Sequence, residues 1–535
     1  MRFSTIAILS VTGGALLGAG VLIRSNRPLV ASVTLDGKGV KSLQCNNVEY
    51  IADGEFRVER VALRKANGES YQGDKSGTAK MDVQRQQLSL TFPWGSVGVT
   101  YHTARNQLDL KIQTTNTSSD TIESLLFQPL ALKFPDTLQE YDGTTPLLVH
   151  NIGDLALVRA SYGSGSIVIA SEDITQPLMV GFPWANDGPR NTVFPLSVHT
   201  GRIPSYPDSY PRIDRPIPPK GTDQYDVSIR FARADTSLAE IAPDLYKRFR
   251  DAFPYELKWS DRRPIGAIFL ATAGQNSAAN PQGWFGDAHL NIGTPSGKAD
   301  FRQRLLVLAD SAIAVMKNMN AQGAITWDIE GQKFANEVSY LGDPRMVNGL
   351  APEMADVADE YFQRFRSAGL RVGVTIRPQQ LIISNGGQKI AQTAAADPAQ
   401  LLIDKIAYAR SRWGITMAYI DSNVDANTNN PMDPAIIQKV AAAFPDVLLI
   451  PEHSDLRYYA YSAPYKELRR GEVSTSADVR GVYPKAFSLI YTADGPLDLY
   501  HKSLVKAVQE GDSMMYRTWY ADPQNEKVKS LFSSR

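Results

Sequence analysis

Charged side chains follow four consecutive apolar runs in the second half of the chain. Asp328 and Glu330 follow the first of these runs, Arg377 the second, Asp421 the third and Glu452 the fourth. Cleavage of a glycosidic bond needs two carboxyl groups, one ionised and one holding a proton for the leaving oxygen. We therefore expect Asp421 to act as the nucleophile and Glu452 as the acid/base of such a reaction.

The remaining charged residues of this group are candidates for substrate binding. Asp328 and Glu330 point to opposite sides if their strand continues, so we do not expect them to be a catalytic pair by themselves. We expect one of them to bind sugar hydroxyls, and Arg377 to bind the substrate or to orient Asp421 or Asp328. Each acid also has a structural interpretation, because an aspartate at a strand end often caps the next helix or closes a turn.

The elements that would position these residues alternate between strand and helix. Helical patterns separate apolar runs at Ile265–Leu270, Ala324–Trp327, Arg371–Ile376, Ile415–Ile420 and Val447–Ile450. Weaker strand patterns follow around Val473, at Phe487–Tyr491 and at Met514–Trp519. This order predicts parallel pairing with right-handed crossovers, and about eight strands fit an α/β (β/α)8 barrel of the TIM type. A doubly wound open sheet is the alternative, although the chain has no GxGxxG or GxxxxGK[ST] motif.

A barrel would bring the two candidate catalytic acids together. Active-site groups project from the C-terminal ends of barrel strands. Neighbouring strands lie about 4.7–4.9 Å apart, close to the separation of roughly 5–5.5 Å between the carboxyls of a retaining glycosidase. The sequence therefore predicts that Asp421 and Glu452 meet at one rim.

The first half of the chain has a different pattern. Short runs that alternate with period two, such as Leu88–Phe92 and Leu108–Ile112, are separated by turn residues. This pattern predicts an antiparallel β-sandwich. We place the β-sandwich domain at 29–240 and the barrel domain at 241–535, which makes the fold multidomain, and we expect a helix at Ser237–Phe253.

Residues 1–28 form a separate segment. The run from Thr5 to Ile23 carries no charge and is flanked by Arg2 and Arg24. This is typical of a signal peptide or a single N-terminal membrane anchor, and a buried helix is the alternative. We therefore predict export, with the protein periplasmic, secreted or anchored to the outer face of the inner membrane.

Composition excludes several classes of partner and cofactor. The chain of 535 residues has 56 basic and 56 acidic side chains, so it lacks the surplus of positive charge that a nucleic-acid partner requires. Cys45 is the single cysteine and cannot form an intramolecular disulfide or a CxxC site. The six histidines show no HxH or HExxH spacing. We predict a carbohydrate substrate and neither cofactor nor metal.

Aromatic side chains after the strands are candidates for stacking on sugar rings. Trp284, Tyr458 and Trp519 are the three that follow predicted strands most directly. Because most aromatic residues belong to the core, we expect only some of the aromatics in the barrel half to contact a ligand.

A sandwich followed by a barrel, with Asp421 after strand four and Glu452 after strand five, resembles the retaining α-glycosidases. Endo-α-N-acetylgalactosaminidases, dextranases and the α-amylase group share this placement, and the resemblance implies an α-linked substrate. The stretch Leu110–Asp120 is similar to the supersandwich that often precedes such barrels. The sequence departs from the α-amylase group at Tyr419, where that group has an arginine.

The stretch Tyr419–Asn423 also resembles the nucleophile strand of α-galactosidase-type enzymes, whose acid is an aspartate on strand six. This second resemblance implies that Asp478, in Ser476–Arg480, could replace Glu452 as the acid/base.

Three rival interpretations remain open. Asp421, Asn423 and Asp425 have the spacing of a calcium loop, but the glycine of that motif is replaced by Ala426 and its last ligand by Met432. A non-catalytic carbohydrate-binding or cell-envelope protein fits the export signal and the sandwich equally well. A metal-dependent hydrolase is the third, and is disfavoured by the scattered histidines.

Overall fold

A computed structural model describes residues 29–135, 138–142, 148–149, 156–181, 193–201, 213–272, 276–332, 340–384, 389–424, 431–518 and 522–533. The N-terminal segment 1–28, predicted to be a signal peptide or anchor, lies outside these residues. No helix in the described part of the chain is long and apolar enough to cross a membrane.

The first half of the chain consists of antiparallel strands. Their bounds are β1 (Ala31–Asp36), β2 (Gly39–Cys45), β3 (Val48–Glu49), β4 (Ile51–Asp53), β5 (Arg57–Arg64), β6 (Ser70–Gln72), β7 (Thr78–Asp82), β8 (Gln87–Phe92), β9 (Gly95–Ala104), β10 (Gln107–Asn116), β11 (Thr121–Gln128), β12 (Ala131–Lys133), β13 (Leu138–Asp142), β14 (Leu148–Val149), β15 (Leu157–Tyr162), β16 (Gly165–Ser171), β17 (Met179–Gly181), β18 (Val193–Pro195), β19 (Ser197–Thr200) and β20 (Thr222–Ala232).

Two large sheets form the sandwich. One has eight strands in the order β13-β15-β16-β20-β10-β9-β8-β7, and the other has six in the order β14-β17-β19-β11-β5-β6. Side chains alternate between buried and exposed along β8 and β10, as a half-buried sheet requires. Their buried faces share one hydrophobic core.

The second half of the chain supplies ten more strands. They are β21 (Ile265–Phe269), β22 (Gly323–Trp327), β23 (Arg371–Ile376), β24 (Gln380–Ser384), β25 (Lys389–Thr393), β26 (Met417–Ile420), β27 (Leu448–Pro451), β28 (Tyr465–Glu467), β29 (Leu489–Tyr491) and β30 (Ser513–Arg517). Strands β24 and β25 form a separate hairpin.

The other eight strands form a nearly closed parallel barrel, in the order β27-β26-β23-β22-β21-β30-β29-β28. The two end strands, β27 and β28, do not pair directly. One backbone hydrogen bond of 3.0 Å, from Ala463 to Leu449, links the chain before β28 to β27. The structure therefore confirms a sandwich followed by a barrel.

Helices surround the barrel. Their bounds are α1 (Leu238–Ile241), α2 (Pro243–Ala252), α3 (Pro295–Asn318), α4 (Val347–Leu350), α5 (Pro352–Ser367), α6 (Pro398–Trp413), α7 (Pro434–Ala443), α8 (Ala477–Val482), α9 (Leu497–Gln509) and α10 (Pro523–Leu531). Short 3₁₀ turns lie at Pro344–Met346, Arg457–Ala460 and Leu468–Arg470.

Local sequence explains where the barrel helices begin. Helices α3, α6, α7 and α10 each have proline at their first position, and the preceding residue caps the helix through its side chain. Proline suits this position because its missing N–H would have no partner there, while the capping side chain binds one of the free N–H groups.

Two sequence predictions of elements are wrong. The sixth barrel strand is Tyr465–Glu467 and does not lie around Val473. The helix expected at Ser237–Phe253 is divided into α1 and α2, because Pro243 begins a new helix and cannot donate a backbone hydrogen bond to continue the first.

Sandwich and barrel share a hydrophobic cluster. All seven residues of β16 are buried. Ile167 and Ile169 face the sandwich core, whereas Val168 and Ala170 belong to the cluster that contains α2 and the outer faces of the barrel strands. Strand β16 is therefore covered on both faces.

Candidate active site

The C-terminal ends of the barrel strands surround a cavity of about 380 Å³. Its aromatic lining residues are Phe269, Trp327, Tyr340, Tyr419, Tyr465 and Tyr491. Its polar and charged lining residues are Thr272, Gln332, Asp421, Glu452, Glu467, Arg469, Arg470, Asp494 and Arg517.

Neighbouring strands place Asp421 and Glu452 side by side. Ile420, at the end of β26, is paired with Pro451, at the end of β27, and each acid is the next residue of its strand. Both side chains line the cavity, and the charge of Glu452 contributes to the raised pKa of Asp421. The pair predicted from the sequence therefore lies at one rim of the barrel.

The left-handed backbone of Ser422, just after β26, orients Glu452. Ser422 has φ 51°, a conformation that is uncommon outside glycine. In this conformation its backbone N–H donates to Glu452 Oε2 at 2.8 Å. His453 Nε2 lies 3.7 Å from the same oxygen, which leaves Oε1 of Glu452 for proton transfer.

Burial and an ion pair act in opposite directions on Asp421. Its pKa is raised to about 6, because burial and the charge of Glu452 outweigh the opposing charge of Arg377. Arg377 contacts Oδ2 of Asp421 through two of its nitrogens. The guanidinium thus favours the ionised carboxylate and leaves Oδ1 outside this ion pair.

Asp328 lies next to this pair, beneath the cavity lining. Its side chain is buried, and burial raises its pKa to about 7, helped by the nearby charge of Asp421. Gln332 donates to Asp328 Oδ1 at 3.0 Å, while Oδ2 is buried with no hydrogen-bond partner. Gln332 lines the cavity, so it connects Asp328 to the space where a ligand would bind.

Glu330 belongs to a second buried layer. Its pKa is raised to about 8, mainly by burial; the charges of Asp343 and Asp328 contribute to this rise, while Lys405 opposes it. Lys405 is fully buried and lies 3.6 Å from Asp343. The structure does not bring Glu330 to the cavity surface, so its predicted contact with substrate is not supported by its position.

The aromatic lining forms the floor of the cavity. Trp327 and Tyr419 lie in the top layer of side chains that fills the barrel, with ring centroids 5.0 Å apart. Tyr465 packs edge-on against Tyr419 at 5.4 Å. Aromatic rings offer an apolar surface to the C–H faces of a sugar ring.

The structure places three other predicted site residues away from the cavity. Trp284 is fully buried and donates to Glu353 at 2.7 Å. Tyr458 is also fully buried, and its hydroxyl donates to the backbone of Met432. Asp478 is exposed at the start of α8, where it accepts a hydrogen bond of 3.2 Å from Tyr246. These residues support the fold.

Some predictions lie outside the described residues. Trp519 is one of them, and Asp425 of the possible calcium loop is another. Among the residues that the structure describes, no group of three or more His, Cys, Asp or Glu side chains is arranged to hold a metal ion.

The sequence analysis missed the basic side of the cavity. Glu467 is the last residue of β28, and Arg469 and Arg470 follow it. The sequence did not indicate them because the sixth strand was expected around Val473 instead of Tyr465–Glu467. The paired arginines directly before Gly471 are the signal that could have found them.

Comparisons with known proteins support the same fold. No family model and no curated protein matches the chain. A solved structure of an α-N-acetylgalactosaminidase from Bifidobacterium bifidum in complex with GalNAc is 10% identical, with a TM-score of 0.54, and the match covers 94% of this chain and 91% of that one. A quadruple mutant of that enzyme is 11% identical, with a TM-score of 0.53 and coverage of 94% and 92%. At this identity the likeness establishes the fold.

Proposed function

We propose that the protein is a retaining glycoside hydrolase, with Asp421 as the nucleophile and Glu452 as the acid/base. The observation that carries this proposal is the placement of the two carboxyls after neighbouring strands at the mouth of the barrel. Neighbouring strands lie about 4.7–4.9 Å apart, close to the roughly 5–5.5 Å between the carboxyls of a retaining enzyme, whereas an inverting enzyme needs about 6.5–9.5 Å to admit a water between them. The placement on neighbouring strands therefore favours the retaining mechanism.

Each acid has a separate role in this mechanism. Asp421 Oδ1 attacks the anomeric carbon while Arg377 holds Oδ2 ionised. Glu452 gives its proton to the leaving oxygen, so that the glycosidic bond breaks and a glycosyl ester forms on Asp421. Glu452, now ionised, takes a proton from water, which hydrolyses the ester and restores both groups.

Polar groups beside the pair are suited to bind the sugar. Gln332 lines the cavity, so its side-chain amide is placed to bind a sugar hydroxyl. Asp328 accepts from the amide of the same side chain and thereby fixes its orientation. We assign Asp328 and Gln332 to this binding role and Arg377 to orienting the nucleophile.

The two solved structures of the same fold suggest where to begin with substrates. Both are named as α-N-acetylgalactosaminidases, so an α-N-acetylgalactosaminide is the first compound to test. We also propose that residues 1–28 direct export, which would place the enzyme among extracellular or envelope saccharides.

Two variants test the assignment of roles. Asp421→Asn should abolish hydrolysis of aryl and disaccharide substrates alike, because no ester can form. Glu452→Gln should lower kcat/KM about 10²- to 10⁴-fold for a disaccharide and much less for a 4-nitrophenyl glycoside, whose leaving group needs no proton. The kcat for both substrates should fall, because the ester is then hydrolysed without its base. Rates should be measured for the purified full chain on both substrates.

Asp433→Asn is the matched control, because Asp433 caps α7 outside the cavity and asparagine caps a helix equally well. Hydrolysis by Asp421→Asn at the wild-type rate would contradict the mechanism. If the wild-type protein binds a saccharide but hydrolyses no glycoside, the result would favour a non-catalytic binding protein.

A further inference from the structure

Three basic side chains contribute to the lining of the cavity. Arg469, Arg470 and Arg517 line the same cavity as Asp421 and Glu452. Neutral sugars offer hydroxyl groups, which a few polar side chains can bind. Three guanidinium groups at one cavity therefore need a further explanation.

One carboxylate anchors two of these guanidinium groups. Glu467 Oε1 lies 2.5 Å from Nε of Arg469, and Oε2 lies 2.9 Å from Nε of Arg470. The Glu467 side chain is only 9% exposed, and its backbone N–H donates to Glu472 at 2.8 Å. The anchor is therefore fixed in the protein.

The arginine pair, Arg469 and Arg470, remains accessible at its outer ends. Both are held through Nε, and their side chains are 58% and 63% exposed. Gly471, with φ 81°, ends the short turn that carries them. In the described part of the chain, Glu467 is the acid with which each of them forms its ion pair, so the terminal nitrogens of both can bind a ligand.

The charges beside the arginine pair favour an anion there. Two guanidinium groups share the single carboxylate of Glu467, which leaves a local surplus of positive charge, while Arg517 is matched by Asp494 at 2.6 Å. The guanidinium of Arg377 offsets the charge of Asp421, which reduces the repulsion of an anionic group bound by the arginine pair.

We propose that the arginine pair is a subsite for an anionic substituent, a carboxylate or a sulfate, on the saccharide bound in the cavity. Guanidinium groups bind such oxygens through two parallel hydrogen bonds, which combine charge with a fixed geometry. The inference rests on the proposed function, because it takes the cavity of Asp421 and Glu452 as the saccharide site. It goes beyond that function by defining the class of saccharide.

The test uses two matched pairs of oligosaccharides that differ in charge. One pair is oligogalacturonides before and after reduction of their carboxyl groups to alcohols, and the other is dextran oligosaccharides with and without sulfate. Binding to full-length Asp421→Asn protein is measured by calorimetry at low and at physiological salt. We expect at least one charged probe to bind about tenfold more tightly than its uncharged partner, and less tightly as salt rises.

Arg469→Gln/Arg470→Gln, introduced into the same protein, should reduce binding of the charged probe to the level of its uncharged partner. The control Arg410→Gln/Lys506→Gln also removes two positive charges, from the ends of α6 and α9, and should leave binding unchanged. Equal binding of both members of each pair, failure of both charged probes to bind, or no effect of the arginine substitutions would overturn the inference.

The outcomes separate this inference from the proposed function. Charge-dependent binding by a wild-type protein that hydrolyses no glycoside would refute the hydrolase and leave the subsite in place. Hydrolysis of a neutral glycoside, with no preference for charged probes, would support the hydrolase and refute the subsite.

Discussion

Buried acids behind the cavity make the folded protein sensitive to pH. Burial raises the pKa of Asp328 to about 7 and that of Glu330 to about 8. The folded state therefore keeps protons that the unfolded chain releases at lower pH. The stability from these protonated acids is fully present below the unfolded pKa, near 4, and is lost as pH rises through the folded values.

Glu330→Gln should remove part of this pH dependence. Glutamine has the shape of the protonated acid and cannot ionise. The difference in free energy of unfolding between the variant and the wild type should therefore grow from pH 5 to pH 8. In total it should reach about 1.4 kcal/mol for each unit by which folding raises the pKa of Glu330. Urea unfolding at several pH values measures this difference. The exposed Glu526→Gln serves as control, and parallel curves for Glu330→Gln and wild type would refute the expectation.

At the scale of residues, the place of two acids in the site could be predicted from residue type and position in the sequence. Asp421 and Glu452 follow strongly apolar runs, and the structure places both at one rim of the barrel. Trp284 and Tyr458 also follow strands but are buried in the core. Sequence cannot distinguish these cases, because whether a large aromatic faces the cavity or the core depends on neighbours that are distant along the chain.

At the scale of elements, helix α6 holds the loop that presents Arg377. Its Lys405 donates to the backbone carbonyls of Arg377 and Gln379, at 2.7 and 3.0 Å. Burial lowers the pKa of Lys405 to about 8, and the charge of Asp343 opposes this shift. The ammonium thus links the helix to the end of β23 beside Asp421, the proposed nucleophile.

Lys405→Met should affect catalysis through Arg377. Without the ammonium the Arg377 loop loses two hydrogen bonds, so we expect kcat to fall by about tenfold or more. As Arg377 retreats, the pKa of Asp421 rises, and the acidic limb of the kcat/KM profile should move to higher pH. Lys439→Met, on the exposed side of α7, is the control. A variant that loses stability but keeps the wild-type pH profile would show that Lys405 is merely structural.

The long apolar strands were predictable, whereas short ones were not. Runs such as Arg371–Ile376, which is buried after its first residue, are bounded by helical patterns, so their type is clear from sequence. Strand β28 has three residues, Tyr465–Glu467, of which one is buried. Such a strand exists because its neighbour β29 pairs with it, and this information is absent from local sequence.

For the whole molecule, a buried arginine joins sandwich and barrel. Arg230, on β20, is 2% exposed and lies 2.6 Å from Asp244 of α2 and 2.7 Å from Glu172. Arg248 of α2 reaches the same Glu172 at 2.6 Å. These contacts lie beside the hydrophobic cluster that both halves share.

Arg230→Met should weaken this junction. Losing its charged hydrogen bonds should lower the free energy of unfolding by about 1.5–3 kcal/mol, measured by urea denaturation. Arg64→Met is the control within the sandwich, because its partner Glu123 lies 3.1 Å away at the surface and exposed pairs contribute less than about 1 kcal/mol. Equal losses from both variants would show that Arg230 has no special role at the junction.

Between β27 and β28 the described residues form one backbone hydrogen bond, from Ala463 to Leu449, and one side-chain hydrogen bond of 3.5 Å, from Lys466 to Ser454. With so few bonds, these two strands should separate at lower cost than any other neighbours in the barrel. Glu452 lies on one side of this gap and the arginine pair on the other, whereas the strand of Asp421 pairs with a neighbour on both sides. We therefore expect the cavity to change its width on this side while Asp421 stays fixed.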